Sequence, residues 1–251
     1  MSGRSAATAR SAPGRRSADE IEAIHRFRLD RAVAWFFEAA AEAPERHCPI
    51  CDYRGPFSPV RHKIGTWCPG CDSRPRHRLL RLWTMRELGD RPRRVLHFGA
   101  EPFARAWFDR PGWRYRTADI DDRHDLTLDI EAMALDDASE DLILANHVLE
   151  HVDDRRALAE IARVLAPGGL AVLTVPIVEG WDETLEEASA TDEATRRRLY
   201  GDPLHRRFYG RDLRDRVRAA GLSLGEYVAR EPDVSTHALN RGERLFLAER
   251  P

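Results

Sequence analysis

Two closely spaced pairs of cysteines constrain the fold of this chain more than any other feature. Two residues separate the members of each pair, sixteen residues separate the pairs, and the chain has no other cysteine. A C-x2-C loop directs two thiolates to one point, and two such loops complete a tetrahedron around Zn²⁺. The sequence therefore predicts a small zinc ribbon whose metal ligands are Cys48, Cys51, Cys68 and Cys71.

Two other interpretations of the cysteines are a pair of disulfides and a redox-active C-x-x-C motif. Disulfides require an oxidising compartment, and no apolar signal segment opens this sequence. A redox motif needs only one of the two pairs. Because four thiolates leave no open coordination position, the predicted zinc is structural and not catalytic.

Composition limits the remaining possibilities. A chain of 251 residues with 42% apolar content can form one sizeable soluble domain and a small module. No stretch approaches the roughly 20 apolar residues of a membrane span, so we expect a cytoplasmic protein. Residues 1–94 carry 19 Lys and Arg against 11 Asp and Glu, whereas the rest carries 21 against 31. The basic part is either a nucleic-acid contact or, as we favour, a solvated surface.

The sequence divides into three parts. Ser17–Glu20 resembles a capping box and predicts a helix from about 18 to 42, and Pro75 opens a second helix after the cysteine loops. The expected units are a disordered tail at 1–17, an N-terminal module of helix, zinc ribbon and linking helix at 18–90, and the main domain at 91–251.

From Arg94 onward, short apolar runs alternate with helical patterns. This alternation predicts an α/β fold, with a doubly wound, seven-stranded and mostly parallel sheet. Residues 179–204 are polar and irregular, and we expect residues 179–208 to form a cap over the strand ends. The predicted strands lie near 95–98, 113–118, 124–128, 141–146, 170–175, 222–228 and 243–249.

Polar residues at the carboxyl ends of these strands are the candidate site, because ligands of such sheets bind there. Gly99 closes the first strand, and Asp119 closes the second strand twenty residues later. An acid at that distance can accept both hydroxyls of a ribose, although it can also simply cap a loop. Asp129 precedes the fourth strand and could accept the exocyclic amine of adenine.

Two segments, Asp141–Val152 and Ile161–Leu170, together with Asp119 and Asp129 in register, resemble the class I S-adenosylmethionine-dependent methyltransferases. The resemblance covers roughly residues 93–250 and, within this class, is to type 11-like methyltransferases. The cysteine module and the following Ser73–Arg78 are similar to a subgroup of bacterial methyltransferases with an N-terminal zinc ribbon. The resemblance implies a Rossmann-like fold and S-adenosylmethionine as cofactor, with Asp119 on the ribose and Asp129 on the adenine amine. It also implies that Asn146 and His147 face the methionine end.

The first loop departs from the family pattern. An acid followed by Gly-x-Gly-x-Gly is usual, whereas this chain has His97 at the acid position and Glu101 where a second glycine would stand. A bulky residue there takes space that the ligand's approach requires. We expect Glu101 to compensate by pairing with the ammonium group of the methionine moiety, so His97, Gly99 and Glu101 are candidate cofactor residues.

The histidines are candidate bases. His147 and His151 are four residues apart and are expected to share the face of a helical turn. They could form a metal site, but the sequence offers no nearby third ligand. His205 is expected near the start of a later helix, at the mouth of the cleft. His147 or His205 could deprotonate the nucleophile before methyl transfer, or lie there as packing and surface residues.

The leading hypothesis is methyl transfer to an O or N nucleophile of a small-molecule or carrier-linked substrate. A second hypothesis is an RNA methyltransferase whose basic residues contact phosphates, which the acidic second half of the chain disfavours. A third is a non-catalytic scaffold that kept the fold but lost the usual first loop. The candidate phosphate contacts are Arg74, Arg76, Arg78, Arg81 and Arg86.

Overall fold

The computed structural model describes residues 17–41, 44–60, 63–91 and 93–251. The tail expected at 1–17 lies outside the described residues except for Ser17, and so does Pro92. The helices of the described part are α1 (Ala18–Ala41), α2 (Pro75–Arg86), α3 (Arg105–Phe108), α4 (Asp154–Val164), α5 (Glu193–Tyr200), α6 (Leu213–Ala219) and α7 (Asp233–His237).

Two short hairpins precede the main sheet. The strands are β1 (Arg46–His47), β2 (Arg54–Gly55), β3 (Ser58–Val60), β4 (Lys63–Trp67), β5 (Arg94–Phe98), β6 (Arg114–Asp119), β7 (Leu126–Thr127), β8 (Glu140–Asn146), β9 (Leu165–Thr174), β10 (Ser223–Val228) and β11 (Arg244–Glu249). Strand β1 pairs with β2 and β3 with β4, both antiparallel, and these hairpins carry the cysteine loops.

The main sheet has seven strands in the order β10-β11-β9-β8-β5-β6-β7. Strands β5 to β9 pair in parallel, and β11 runs antiparallel to both β9 and β10. The predicted doubly wound, mostly parallel sheet is therefore confirmed. The reversal of strand order between β5 and β8 leaves a crevice at the carboxyl ends of the strands, where such folds bind ligands.

Both faces of the sheet are covered by helices, which explains why its strands read as continuous apolar runs. Leu142, Ile143, Leu144 and Ala145 of β8 are fully buried. Alternate residues belong to two different clusters of buried side chains, one with α4 and α6 and the other with α2 and α3. Helix α2, which links the cysteine hairpins to the main domain, is thus part of the main domain's core.

Two local predictions were wrong. A strand was expected near 170–175, but β9 begins at Leu165, directly after α4 ends at Val164, and so includes Pro167–Gly169. Two hydrogen bonds to the end of the chain hold this segment extended, because Gly168 donates to the Arg250 carbonyl and Arg250 donates to the Gly169 carbonyl.

The segment around His205 was expected to open a helix, but α6 begins only at Leu213. Phe208 and Tyr209 instead form bridges to Leu185 and Ile177. The expected irregular stretch at 179–204 also contains one helix, α5. These long-range pairings tie the expected cap to the end of β9, and sequence spacing does not reveal them.

A buried arginine joins the cysteine hairpins to the main domain. Arg78 of α2 is fully buried and donates to the carbonyls of His237 (2.7 Å), Ala238 (2.7 Å) and Thr66 (2.8 Å), and also to that of Ser73. Its guanidinium carbon lies 4.8 Å from the centre of the Phe57 ring. Burial lowers the pKa of Arg78 to about 10, so the side chain remains charged at neutral pH.

None of the helices in the described ranges is both long enough and apolar enough to span a bilayer.

We predict that Arg78→Lys lowers the free energy of unfolding by about 3 kcal/mol or more, because a lysine cannot reach four buried carbonyls at once. For a chain of this size that loss corresponds to a melting temperature about 6–12 °C lower. Thermal unfolding followed by circular dichroism measures it. The exposed Arg155→Lys is the matched control, and equal melting temperatures for the two variants would contradict the role of Arg78.

Candidate functional site

A cavity of about 750 Å³ lies at the carboxyl ends of β5, β6 and β8. Its volume falls in the range of roughly 300–1,000 Å³ that is usual for sites of small ligands and cofactors. Six of the predicted cofactor residues line this one cavity, although they come from four strands, β5 to β8, and the loops after them. They are Gly99, Glu101, Asp119, Asp129, Asn146 and His147.

Gly99 forms the turn after β5 and borders the cavity. It has a φ of +60°, which residues with a side chain adopt only under strain, and its N–H donates to the Ala118 carbonyl at 3.1 Å. A Cβ at this position would lie 3.9 Å from both Asp119 Oδ2 and Val148 Cγ2. The missing side chain therefore leaves room for a ligand between the first and second strands.

The two predicted aspartates border the same cavity, and the backbone orients each of them. Asp119 Oδ1 accepts the N–H of Ile120 at 2.7 Å, and Asp129 Oδ1 accepts the N–H of Glu131 at 2.8 Å. Asp119 Oδ2 lies 3.9 Å from His124 Nε2. Two preoriented carboxylates at one cavity wall can accept hydrogen bonds from hydroxyl and amine groups of a ligand.

His147 follows β8 in a left-handed conformation, with a φ of +55°. Its N–H donates to the Thr174 carbonyl, and its Nδ1 lies 2.8 Å from Oε1 of the fully buried Glu150. Because Glu150 is an acceptor, Nδ1 carries the proton and Nε2 keeps a free lone pair. The expectation that His147 and His151 share a helical face was wrong, since only residues 149–151 form a helical turn.

His97 does not line the cavity. The side chain is fully buried, with Nδ1 2.9 Å from the Tyr115 hydroxyl and Nε2 accepting from Asn146 Nδ2 at 3.3 Å. Burial lowers the pKa of His97 to about 4, so the imidazole is neutral at neutral pH. His97, expected to bind the cofactor, therefore acts on the cavity only through Asn146, whose oxygen accepts from Thr174.

Helix α2 contributes two residues that sequence reasoning missed. His77 Nε2 lies 2.7 Å from Glu101 Oε1, while His77 Nδ1 accepts the N–H of Arg74. Burial disfavours ionisation of Glu101, but the close contact with His77 outweighs it and lowers the pKa of Glu101 to about 2. Arg76 lines the cavity beside this carboxylate.

His205 lies behind the cavity wall. Its ring meets that of His151 edge-on, with centroids 4.8 Å apart, and His151 is a lining residue of the cavity. Burial lowers the pKa of His205 below its ordinary value. The structure thus brings together Glu150, His151 and His205, one ligand atom of each lying within 4.8 Å of the other two.

Other lining residues were not predicted as site residues, because they come from the cap, are apolar or, in the case of Glu131, belong to no motif. They are Phe98, Ile120, Leu128, Ile130, Glu131, Val148, Val152, Arg196, Leu204 and Arg206.

The arginines considered as phosphate contacts do not form an exposed basic face. Arg78 is buried, Arg76 faces the cavity, and Arg86 pairs with Asp233 with its Nη2 2.9 Å from Oδ1. Arg74 is exposed and stacks over the Trp67 ring at 5.1 Å.

The four cysteines cluster as a tetrahedral metal site requires. Sγ of Cys48 lies 3.7 Å from that of Cys71, and Sγ of Cys51 lies 3.5 Å from that of Cys68. Zn–S bonds of about 2.3 Å in a tetrahedron place sulfurs about 3.8 Å apart, so the donor set fits Zn²⁺. A Cβ at Gly70 would approach Cys51 Sγ to 3.1 Å, which explains a glycine in this loop.

Residues 104–173 match a family model described as a methyltransferase domain. These 70 of the 251 residues are similar to a methyltransferase domain. The match includes both aspartates, Asn146 and His147, and it begins after the divergent Gly99–Glu101 loop. The resemblance predicted from the sequence is confirmed, and the clustered cysteines are compatible with its zinc-ribbon part. A search of curated proteins finds no match.

Solved structures are similar to this chain, and one of them, with a TM-score above 0.5, shows the shared fold. The cyclase SpnF aligns with a TM-score of 0.52 at 16% identity, over 87% of this chain and 92% of SpnF. A Mesorhizobium loti S-adenosylmethionine-dependent methyltransferase aligns with a TM-score of 0.49 at 14% identity, over 69% of this chain and 98% of that protein. The Burkholderia thailandensis 1,6-didemethyltoxoflavin-N1-methyltransferase with bound S-adenosylhomocysteine aligns with a TM-score of 0.47 at 16% identity, over 64% of this chain and 72% of that protein. At these identities the likeness concerns the fold alone.

We predict a pH dependence of stability from His97. An unfolded histidine binds a proton below about pH 6.5, whereas His97 in the fold stays neutral to about pH 4, so stability falls as the pH drops between these values. Between pH 7 and 5 the loss is about 2 kcal/mol. His97→Gln, which cannot titrate, should show a correspondingly smaller loss in urea unfolding.

The matched control is the exposed His25→Gln, which should retain the full pH dependence of the unmodified chain. An equal loss for His97→Gln and the unmodified chain would show that His97 is not held neutral.

Proposed function

We propose that this protein is an S-adenosylmethionine-dependent methyltransferase that methylates an O or N atom of a small-molecule or carrier-linked substrate. The observation that carries the proposal is the convergence of Gly99, Asp119 and Asp129 on one cavity of a methyltransferase domain. Asp119 would accept the ribose hydroxyls, because it ends the second strand beside the space that Gly99 leaves open. Asp129 would accept the adenine amine.

The methionine end of the donor would lie between α2 and the turn after β8. Glu101 is ionised and mostly buried, so it suits the ammonium group, as expected from the sequence. Arg76 supplies the opposite charge at the same cavity and suits the carboxylate. Asn146 and His147 line the adjoining wall. This pairing explains how the loop functions with a glutamate where the family has a second glycine.

When bound, S-adenosylmethionine supplies an electrophilic methyl group. The cavity walls align the acceptor with it and exclude water, which can provide much of the rate. His147 is the candidate base, because Glu150 holds its Nδ1 proton and leaves Nε2 toward the cavity side. The same carboxylate would stabilise the imidazolium once a proton arrives. His205, the other candidate base, does not line the cavity.

The acceptor proposal rests on the cap. Arg196, Leu204 and Arg206 line the cavity and come from the expected cap at 179–208. A cavity of about 750 Å³ that is partly open to solvent suits a small or carrier-linked acceptor. RNA lacks support, because the arginines that would bind it are largely buried or paired. A cytoplasmic location stays a prediction of the sequence.

We further propose that Cys48, Cys51, Cys68 and Cys71 hold one structural Zn²⁺. Burial raises the pKa of the Cys68 thiol, so four neighbouring thiolates require a cation to compensate their charge. The ion would fix the positions of the two hairpins, which Arg78 of α2 joins to the main domain. It takes no part in the chemistry, because the four sulfurs fill its coordination sphere.

Purified protein should contain one equivalent of zinc, and Cys68→Ser should lose most of it together with thermal stability. Elemental analysis measures the zinc. Ser58→Ala, a change in the same module that removes no sulfur, is the control, and a chain with less than half an equivalent of zinc would count against the site.

Asp119→Asn should weaken binding of S-adenosylhomocysteine about 10- to 100-fold, because the amide cannot accept hydrogen bonds with a full charge. Isothermal titration calorimetry measures this change. Asp122→Asn, three residues away on the exposed loop, is the matched control and should bind normally.

If the unmodified chain shows neither heat nor thermal shift with saturating S-adenosylhomocysteine, it is a scaffold that retained the fold, and the enzymatic proposal fails. Where binding is present, release of S-adenosylhomocysteine from S-adenosylmethionine in the presence of candidate hydroxyl and amine acceptors identifies the substrate class.

A further inference from the structure

A second cluster of metal-ligating side chains lies beside the cavity, remote in sequence from the cysteines. Glu150 and His151 belong to the helical turn after β8, and His205 comes from the cap. One ligand atom of each lies within 4.8 Å of the other two. No third ligand was evident near His151 in the sequence, because His205 lies 54 positions further along and the fold brings it near.

Two atoms of this cluster are buried without a hydrogen-bond partner among the residues that the structure describes. Glu150 is fully buried, and only its Oε1 is engaged, by His147 Nδ1, whereas Oε2 has no partner. Nδ1 of His205 is likewise buried and unpartnered. Folded proteins rarely leave such atoms unsatisfied, so each needs an occupant.

The chemistry of the unpartnered atoms indicates which occupant fits. A carboxylate oxygen is an acceptor only, and a histidine nitrogen can offer a lone pair. Two imidazoles and one carboxylate form the donor set that divalent transition metals accept, and three protein ligands leave coordination positions open. The four-sulfur site, by contrast, has no position left.

We propose that Glu150, His151 and His205 bind a divalent transition-metal ion whose open positions hold an oxygen atom of the methyl acceptor. His151 belongs to both the cluster and the cavity wall, so the ion borders the space where the acceptor enters. Glu150 serves two neighbours through its two oxygens, His147 through Oε1 and the ion through Oε2.

The acceptor class that follows is a hydroxyl compound with a second oxygen, such as a vicinal diol or a hydroxy acid, which can chelate the ion. Coordination lowers the pKa of the hydroxyl. Its O–H bond breaks and the proton passes to His147 Nε2, while the oxygen forms a bond to the donor methyl carbon. The electron pair of the C–S bond stays on sulfur, giving S-adenosylhomocysteine. This catalytic role rests on the proposed function, but ion binding does not.

The test is a calorimetric titration of the full chain with Co²⁺, after elemental analysis has confirmed that the cysteines carry their one equivalent of zinc. We expect saturation near one Co²⁺ per chain with no zinc released. His205→Ala should weaken binding at least tenfold, and His151→Ala, at the other imidazole, should do the same. The exposed His25→Ala is the control and should bind Co²⁺ as the unmodified chain does.

No saturable Co²⁺ binding, or binding that both cluster variants leave unchanged, overturns the inference. S-adenosylhomocysteine binding measured on the same samples separates the two proposals. If the chain binds S-adenosylhomocysteine but not Co²⁺, only the second metal site is wrong. If it binds Co²⁺ through the cluster but not S-adenosylhomocysteine, the site exists and the methyl-transfer role fails.

Discussion

The buried guanidinium of Arg78 is the contact on which the arrangement of the two parts of the chain depends. Removing a charge from water is costly, and the fold offsets that cost with carbonyl oxygens from Ser73, Thr66, His237 and Ala238. These oxygens come from the cysteine hairpins and from the end of α7. The guanidinium satisfies both sets at once, so the hairpins have one position on the main domain. A tetrathiolate zinc would add a net charge of −2 nearby, which further favours a cation at this place.

The same helix also contacts the unusual first loop at the proposed donor pocket. A glycine in place of Glu101 would let the backbone approach the ligand, but this chain offers a carboxylate that His77 holds ionised. An ionised group in a mostly buried position needs such a partner. The N-terminal module therefore contributes to the cavity wall through Arg76, whereas the sequence indicates a separate unit that precedes the main domain.

The sequence predicted the sheet and the two aspartates because both depend on local patterns. Continuous apolar runs indicate strands that are buried on both faces. Asp119 could be placed at the carboxyl end of the second strand because it directly follows such a run. The roles of His97 and Arg76 could not be predicted. His97 occupies an inward position whose neighbours, Tyr115 and Asn146, come from other strands, and Arg76 reaches the cavity only because α2 packs on the sheet. The expectation that His147 shares a helical face with His151 was wrong because the left-handed backbone of His147 interrupts the expected helical turn.

Three consecutive residues of α2 face three different environments. Arg76 lines the cavity, His77 contacts Glu101, and Arg78 binds the carbonyls that surround the cysteine hairpins. Less than one helical turn therefore separates Arg78, which binds the hairpin carbonyls, from Arg76 at the proposed donor pocket. Oxidation of a cysteine, or loss of its metal, would therefore change the affinity for the methyl donor through this part of α2. By thermodynamic reciprocity, a bound donor would in turn make the thiolates harder to oxidise.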